Sequence, residues 1–470
     1  MMNELVLASA TRLIAMVRSG EISVLELANA HIEQINLLNP RLHAFADFDA
    51  DHVREQARRL DQMPEPRGPL YGLPVTVKSS IAVAGYRCEI GSLLHKGSIP
   101  EEDACVVARL RAAGALILGT TNCPEFLMAY ETVNRLHGRV HNPWDLDRTP
   151  GGSSGGESAA IAAGMSAGGL GSDSGGSVRV PAHFTGICSL KPTPGRIPGR
   201  GHLPPCVGPF ATLGAIGPMA RTAEDLDLFF QVLSGQDPID PISPPIHYRR
   251  RTLAELRLQR IGYFEDDGII PVTPETRAAV NQAADALRAC GMEVVPFRPR
   301  TLEAMRELWW KFFVQCGAMF YEPSIRGREE ELSSIFREFL GIAESQIPLT
   351  ATTLLAAWAE IDQVRGKMLE EMKEYPVILC PAAPTPAIRH QERNWRIDGV
   401  SVAYLDAFRY TQWWNLLGAP AAVVPVSSSR EGLPIGVQLA ARPFEDESVL
   451  GFAQLLDAAF GYRPPQISRN

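Results

Sequence analysis

A strand, a helix and a second strand follow one another between residues 73 and 119. Residues 73–78 alternate in polarity and are rich in β-branched side chains, which is typical of a strand. Residues 103–113 have helical spacing that stops at Gly114, and residues 116–119 read as the next strand. Such alternation favours strands buried beneath packed helices. We therefore expect an α/β fold: a single large domain with a central mixed β-sheet covered by helices on both faces.

Later segments extend this plan and add a helical insertion. Strands are predicted at 258–265, 293–297, 377–379, 422–424 and 435–439. Prolines break residues 236–248 into an irregular loop. Residues from about 301 to 373 are mainly helical, with five residues spaced on one face: Met305, Trp309, Phe312, Cys316 and Phe320. We interpret residues 1–470 as one domain with this insertion on one side of the sheet.

Charge and composition exclude several classes of function. The net charge of −8 provides no basic field for nucleic acid or anionic lipid. No apolar run approaches the ~20 residues of a membrane span. The eight cysteines are scattered and contain no C-x-x-C pair, which is typical of reduced thiols and predicts a cytoplasmic protein. No metal-binding motif occurs, and we expect neither a metal nor another cofactor.

Two serine- and glycine-rich clusters carry the chemistry. The first is Pro150-Gly-Gly-Ser-Ser-Gly-Gly-Glu157, and the second runs from Gly171 to Arg179 and contains Ser177. Lys78 ends the first predicted strand, where an apolar flank can lower its pKa enough for a base. A nucleophilic serine, a relay serine, a lysine base and open glycine backbone together suit acyl transfer without histidine.

Each of these features also has a plain structural interpretation. Taken singly, Lys78 reads as a surface lysine at a strand end, Ser153 and Ser154 as a helix cap, and the second cluster as a flexible loop. Residues 152–156 also match G-x-S-x-G, but the preceding residues predict a loop and not the strand that a nucleophile elbow requires.

The combination resembles the amidase signature family of Ser–Ser–Lys amide hydrolases. The matching stretches, in the family's order, are 72–78, 142–156, 171–181, 186–192 and 432–438, with the core motif region at 70–220. The resemblance implies Ser177 as nucleophile, Ser153 as relay on a cis peptide after Gly152, and Lys78 as base.

Further roles are implied by the same resemblance. Ser154 supports the relay at the substrate-binding centre, and the backbone of Ser174, Gly175, Gly176 and Ser177 forms an oxyanion hole. Asp173 and Arg179 orient the loop. This chain departs from the family's usual pattern at four positions: Ser79, Ser172, Ser174 and His183. We expect the three serines to leave the triad intact and His183 to serve packing.

The predicted function is amidase activity on a small-molecule amide with an apolar group. The candidates for its pocket are aromatic residues of the helical segment, Trp309, Trp310, Phe312 and Phe313, with Trp413 and Trp414. Two alternatives remain open: the glutaminase subunit of a tRNA-dependent amidotransferase complex, and a non-catalytic ligand-binding homologue. The stretch 196–211, with Pro204, Pro205 and Cys206, departs from that glutaminase's usual continuation. A homodimer is a further expectation.

Overall fold

The computed structural model describes residues 2–63, 65, 67–205, 208 and 212–467. Eleven of its strands form one central sheet, and four others form two small ladders. The strands are β1 (Phe45–Phe48), β2 (Pro74–Lys78), β3 (Leu116–Thr121), β4 (Val133–Asn134), β5 (Gly138–Arg139), β6 (Gly168–Asp173), β7 (Cys188–Lys191), β8 (Ala215–Ala220), β9 (Ile261–Tyr263), β10 (Val294–Pro296), β11 (Val377–Pro381), β12 (Asn394–Ile397), β13 (Val400–Ala403), β14 (Ala421–Ser428) and β15 (Pro434–Ala441).

The central sheet is mixed, as predicted. Its order is β1-β3-β2-β6-β8-β7-β14-β15-β11-β9-β10. Strand β2 pairs in parallel with β3 and β6, and β9 pairs in parallel with β10 and β11. The pairs from β6 through β15 to β11 are antiparallel, as is β1 with β3. The strands predicted at 73–78 and 116–119 are therefore confirmed as β2 and β3, which pair in parallel.

Helices flank this sheet. In the described ranges, no helix combines the length and the apolar character needed to cross a membrane. The helices are α1 (Met2–Val6), α2 (Ala10–Ser19), α3 (Val24–Leu42), α4 (Ala50–Asp61), α5 (Cys105–Ala112), α6 (Gly155–Ala162), α7 (Arg179–Thr185), α8 (Ala223–Leu233), α9 (Leu253–Arg257), α10 (Pro274–Ala289), α11 (Leu302–Trp310), α12 (Cys316–Ile325), α13 (Ser334–Glu344), α14 (Ala351–Glu371), α15 (Tyr404–Ala407), α16 (Arg409–Leu417) and α17 (Asp446–Phe460).

The two faces of the sheet belong to different apolar cores. On β11, Val377 and Leu379 pack in a cluster that also contains residues of α10 and α17. Their neighbours Ile378 and Cys380 pack in a second cluster with residues of α11 and α16. Successive side chains of a strand point to opposite faces, so helices cover both faces of the sheet. This arrangement confirms the predicted fold class.

The aromatic face predicted for the helical segment is interrupted. Met305, Trp309, Phe312 and Cys316 are buried, whereas Phe320 is 39% exposed. A π-helical turn over Lys311–Gln315 lies between α11 and α12. Such a turn shifts the helical register, and one turn beyond the buried Cys316 the row of residues reaches the surface. The prediction that Phe320 lies on the buried stripe is therefore wrong.

One predicted strand boundary also differs from the structure. Strand β9 covers only Ile261–Tyr263 of the predicted 258–265, since Leu258 caps the end of α9 and is 84% exposed. Residues 236–248 form turns and irregular backbone. The prolines there remove backbone donors, which disfavours a regular ladder. The division of the chain into motif region, loop and insertion stays a prediction.

The two-sided sheet core predicts a contrast between two leucines. Leu379→Ala on fully buried β11 should lower the free energy of unfolding by about 2–5 kcal/mol because it leaves a cavity. Leu258→Ala, at the exposed end of α9, should change it by less than about 0.5 kcal/mol. Urea unfolding of both variants measures the difference, and equal effects would contradict this account of the core.

Candidate active site

Lys78 is the last residue of β2 and lies inside the sheet. Its side chain is fully buried, as are those of Val75 and Val77 on the same strand. Strands β3 and β6 cover both edges of β2. Burial disfavours the charged ammonium and lowers the pKa of Lys78 from 10.5 to about 8. An appreciable fraction of the amine is therefore neutral near neutral pH.

Three serine hydroxyls surround this amine. Lys78 Nζ lies 2.7 Å from Ser153 Oγ, 3.0 Å from Ser154 Oγ and 3.1 Å from Ser172 Oγ. Among the described residues, no carboxylate forms an ion pair with Lys78. An ion pair would favour the ammonium form, whereas neutral hydroxyls leave the amine able to accept a proton.

The first serine cluster packs directly against the second. The Gly152–Ser153 peptide bond is cis, as the resemblance implied. Ser154 caps α6, and its N–H donates to the Ser177 carbonyl at 3.1 Å. Its hydroxyl donates to the Ser172 carbonyl at 3.3 Å. These bonds hold the start of α6 against the end of β6, so Ser153 and Ser177 reach the same site.

A tight turn after β6 presents Ser177. Asp173 ends β6, and its carboxylate accepts hydrogen bonds from the N–H groups of Gly176 (2.8 Å) and Val178 (3.1 Å). Gly176 has a positive φ of 124°, and a Cβ there would lie 2.3 Å from Thr411 Oγ1. Only glycine fits both the conformation and the space.

A buried ion pair fixes this turn. Arg179 donates to Asp173 from Nε at 3.0 Å and from Nη2 at 2.9 Å. Its other N–H groups donate to the Thr411 carbonyl, Gln438 Oε1 and Asn415 Oδ1. Although burial alone raises the pKa of Asp173, the Arg179 guanidinium and these hydrogen bonds hold it well below its usual range. The pair is thus charged and fully satisfied, which locks the loop before Ser177.

The carbonyl groups of this loop are held on one side. Trp309 Nε1 donates to the Ser174 carbonyl at 2.8 Å. Tyr130 and Thr411 both donate to the Gly175 carbonyl, at 2.7 and 2.6 Å. The C=O and N–H of one peptide unit point in opposite directions. These hydrogen bonds therefore orient the N–H groups of Gly175 and Gly176 toward the opposite side of the loop.

The N–H groups of the loop divide into two sets. Gly176, which the resemblance implies as an oxyanion donor, gives its N–H to Asp173. Those of Ser174, Gly175 and Ser177 have no acceptor within the part of the chain that the structure describes. Three donors therefore remain in a loop rigidly held beside the Ser177 hydroxyl.

Ser177 borders two adjoining cavities. The polar chamber is lined by Ser153, Ser172, Ser174, Ser177 and His202, with apolar residues that include Phe126 and Pro204. No hydrogen bond joins the Ser153 and Ser177 hydroxyls among the described residues, but both line this chamber.

The second cavity is the apolar chamber. Its lining includes Tyr130, Trp309, Phe313, Phe339 and Leu405. The rings of Trp309 and Phe313 stack with centroids 4.6 Å apart. Leu127, Met128, Phe313 and Ser177 border both chambers, so a substrate on Ser177 can extend into each.

Neither chamber has an Asp, Glu, Lys or Arg side chain in its described lining. His202 is the one histidine among those lining residues, and burial lowers its pKa to about 4. Burial raises the pKa of the Tyr130 hydroxyl well above its usual range. The site therefore presents uncharged groups to a ligand. In the ranges that the structure describes, no group of three or more His, Cys, Asp or Glu side chains is arranged to hold a metal ion.

Several predicted positions lie elsewhere. The pocket candidates Trp310, Phe312, Trp413 and Trp414 line neither chamber in the described part of the chain. Phe312, Trp413 and Trp414 are fully buried in the core. His183 is buried, with Nε2 bonded to the Thr385 carbonyl and Nδ1 against Gly436, and burial lowers its pKa. It therefore packs, as predicted. Cys206 lies outside the described residues.

Sequence reasoning missed four partners of the site. In the sequence Ser172 is only a departure from the family pattern, yet it contacts Lys78. Thr411, Asn415 and Gln438 bind Arg179 from more than 230 positions away. Only Gln438 had a signal, since it ends one of the matched motif stretches.

The comparisons agree with this geometry. The chain matches the family model described as Amidase over residues 26–450. It is 35% identical to one of the glutamyl-tRNA(Gln) amidotransferase subunits of Roseiflexus castenholzii, with 93% of this chain and 92% of the relative covered. It is 33% identical to the acylamidase of Rhodococcus erythropolis, with 96% and 95% covered.

A solved hydrolase structure has the same fold as this chain. The 6-aminohexanoate cyclic dimer hydrolase, complexed with substrate, superposes with a TM-score of 0.85 at 28% identity, covering 98% of this chain and 99% of that one. The protein belongs to the amidase family, enzymes that hydrolyse amide C–N bonds. The resemblance predicted from the sequence is confirmed.

The buried ion pair predicts a large stability effect. Arg179→Met leaves the Asp173 carboxylate buried without its counter-ion, so the free energy of unfolding should fall by about 3–5 kcal/mol. The matched control is Arg54→Met, which removes an exposed pair with Asp51 and should cost at most about 1 kcal/mol. Urea unfolding measures both; a cost for Arg179→Met no larger than the control's would contradict the role of the pair.

Proposed function

We propose that this protein hydrolyses an uncharged, apolar carboxamide through an acyl-enzyme on Ser177, with Ser153 as proton relay and Lys78 as base. The observation that carries the proposal is the fully buried Lys78 amine bonded to hydroxyls alone. The relatives are named for amide-cleaving enzymes, which supports the same reaction.

The hydrogen bonds around Lys78 favour one direction of proton transfer. The Ser154 hydroxyl donates to the Ser172 carbonyl, so its oxygen accepts from Lys78 Nζ. A neutral amine has two N–H donors and one lone pair, and Ser172 Oγ can accept the second donor. The lone pair then remains for the nearest hydroxyl, that of Ser153 at 2.7 Å.

The reaction follows from this arrangement. Lys78 accepts the Ser153 proton, Ser153 accepts the Ser177 proton, and Ser177 Oγ forms a bond to the amide carbon. The carbonyl electron pair moves to oxygen, where the N–H groups of Ser174, Gly175 and Ser177 supply hydrogen bonds. Ser153 then protonates the leaving nitrogen and takes its own proton back from Lys78, while the oxyanion electron pair re-forms the C=O bond and the C–N bond breaks. Water adds to the resulting ester through the same relay, and the C–O bond to Ser177 breaks as Ser177 regains its proton and the acid is released. Because catalytic hydrogen bonds commonly tighten only when substrate binds, the separated Ser153 and Ser177 hydroxyls suit a relay closed by the substrate.

The chambers support a neutral substrate. We assign the acyl group to the apolar chamber, where Trp309 and Phe313 offer aromatic surface. We assign the leaving nitrogen to the polar chamber, which contains the relay hydroxyl of Ser153. A charged substrate group buried there would lack a counter-ion, which is costly.

The glutaminase of a tRNA-dependent amidotransferase is the second candidate. The 35% identity to the Roseiflexus protein favours it. Glutamine, however, carries an ammonium and a carboxylate, and the described lining of the chambers provides no ion-pair partner for either. Release of ammonia from glutamine, with co-purification of further subunits, would decide for this candidate. A cytoplasmic location and a homodimer remain predictions.

The nucleophile is tested by labelling. Ser177→Ala should lose reaction with a fluorophosphonate probe and lower the hydrolysis of apolar aryl and aliphatic primary amides by at least about a thousandfold. Ser189→Ala, at another buried serine, on β7, should leave both unchanged. Wild-type protein without label or turnover, but with ligand binding that survives Ser177→Ala, would instead identify a non-catalytic homologue. Rapid turnover of glutamine alone would contradict the neutral substrate.

The role of Lys78 as base predicts how kcat/KM depends on pH. The pKa of about 8 leaves about a tenth of Lys78 neutral at pH 7. Since only the neutral amine accepts a proton, kcat/KM should rise about tenfold per pH unit below pH 7 and level off above about pH 8. Rates measured from pH 5.5 to 10 test this, and a flat profile across that range would contradict Lys78 as base. Lys78→Met should abolish the rise together with most of the activity.

A further inference from the structure

A buried carboxyl group lies on the same face of the sheet as Lys78. Glu157, in the first turn of α6, is fully buried. Its Oε1 accepts a hydrogen bond from Thr76 Oγ1 at 2.5 Å, and its Oε2 accepts one from Thr121 Oγ1 at 2.7 Å. No Lys, Arg or His forms an ion pair with it among the residues that the structure describes.

Strand geometry ties this carboxyl to the base. Thr76 precedes Lys78 by two residues on β2, so both side chains lie on one face. Thr121 on β3 is the register partner of Lys78. Ser154, three residues before Glu157 on the adjoining end of α6, accepts a hydrogen bond from Lys78 Nζ. The start of α6 therefore supplies both Ser154, which contacts Lys78, and Glu157, whose carboxyl group is bonded to threonines of β2 and β3.

Close packing fixes the position of the Glu157 carboxyl group. Gly169 on β6 lies over the carboxyl, and a Cβ there would be 2.1 Å from Glu157 Oε1. A neutral side chain of the same shape would be less costly to bury, since an ionisable group without a counter-ion is destabilising. A carboxyl at this position therefore calls for an electrostatic explanation.

The two groups titrate in the same range. Burial raises the pKa of Glu157 to about 8, partly offset by its two threonine hydrogen bonds and by Lys78. Burial lowers that of Lys78 to about 8 as well. Each charge therefore affects the other where the reaction operates.

The other ionisable groups facing Lys78 do not change charge there. Burial raises the pKa of the Cys123 thiol to about 12, so it stays neutral. Asp173 stays ionised and is neutralised by Arg179. His202 stays neutral because burial lowers its pKa to about 4.

We infer that Glu157 is a positioning residue that sets the proton affinity of Lys78 and stabilises the ammonium formed when Lys78 takes the Ser153 proton. This inference rests on the proposed function, because it acts through the base. The proton stays on Lys78, and Glu157 forms no bond to substrate. In the pH range where Glu157 is ionised, its carboxylate attracts the new ammonium through the low-dielectric interior.

The test is the pH dependence of fluorophosphonate labelling of Ser177, which needs no natural substrate. Glu157→Gln keeps the shape of the side chain and removes the charge. Without that negative charge Lys78 loses its proton more easily, so the midpoint of the labelling rate should move down by about one pH unit. Glu157→Asp should retain a midpoint near that of the wild type. Ser158→Ala, a buried hydroxyl on the same turn of α6, is the matched control and should not move it.

Thermal unfolding shows whether Glu157→Gln folds. If it does not fold, a second variant provides the test. Thr121→Val removes one hydrogen bond that favours the ionised carboxylate, so the midpoint should move down by a smaller amount. Suppose that labelling depends on Ser177 and Lys78 but that the midpoint does not move in either folded variant. This result overturns the inference on Glu157 alone and leaves the proposed function intact. Labelling that survives Lys78→Met and Ser177→Ala overturns the proposed function instead.

Discussion

The burial of one lysine among hydroxyl groups is the constraint on which the site depends. Lys78 lies at the end of a strand with neighbours on both edges, so water cannot stabilise its charge. A carboxylate in direct contact would restore the ammonium and remove the base. The chain supplies Ser153, Ser154 and Ser172 instead, and this choice keeps a proton acceptor at the centre of an otherwise ordinary sheet.

A buried ion pair fixes the turn before Ser177 without contacting Lys78. Asp173 and Arg179 neutralise each other, and Asp173 also accepts hydrogen bonds from the backbone of this turn. Trp309, Tyr130 and Thr411 hold the carbonyl side of the same loop. Ion pairing thus provides rigidity, whereas the hydrogen-bond partners of Lys78 among the described residues are uncharged hydroxyls. Preorganised donors of this kind need no rearrangement as negative charge develops on oxygen.

Much of this could be predicted from the sequence, but unevenly. Lys78, Ser153 and Ser177 were identifiable because their motifs are local, and β2 and β3 because their residues are β-branched. Strand β6 was missed because Gly168, Gly169 and Gly171 give it no strand propensity. Its glycines are explained only by packing, since a Cβ at Gly169 would collide with Glu157. On α16 the sequence drew attention to Trp413 and Trp414, while Thr411 and Asn415, one turn apart on the other face, are the residues that reach the site.

The central claim is that Lys78 accepts the proton as a neutral amine, because burial lowers its pKa. Its ionisation can be followed directly by NMR titration of protein with 13C-labelled lysine ε-carbons, in which only six lysines contribute signals. The Lys78→Met spectrum assigns the resonance and separates it from that of buried Lys191. We predict a midpoint near pH 8 for Lys78. A midpoint at about 10.4, the value of an exposed lysine, would contradict the account.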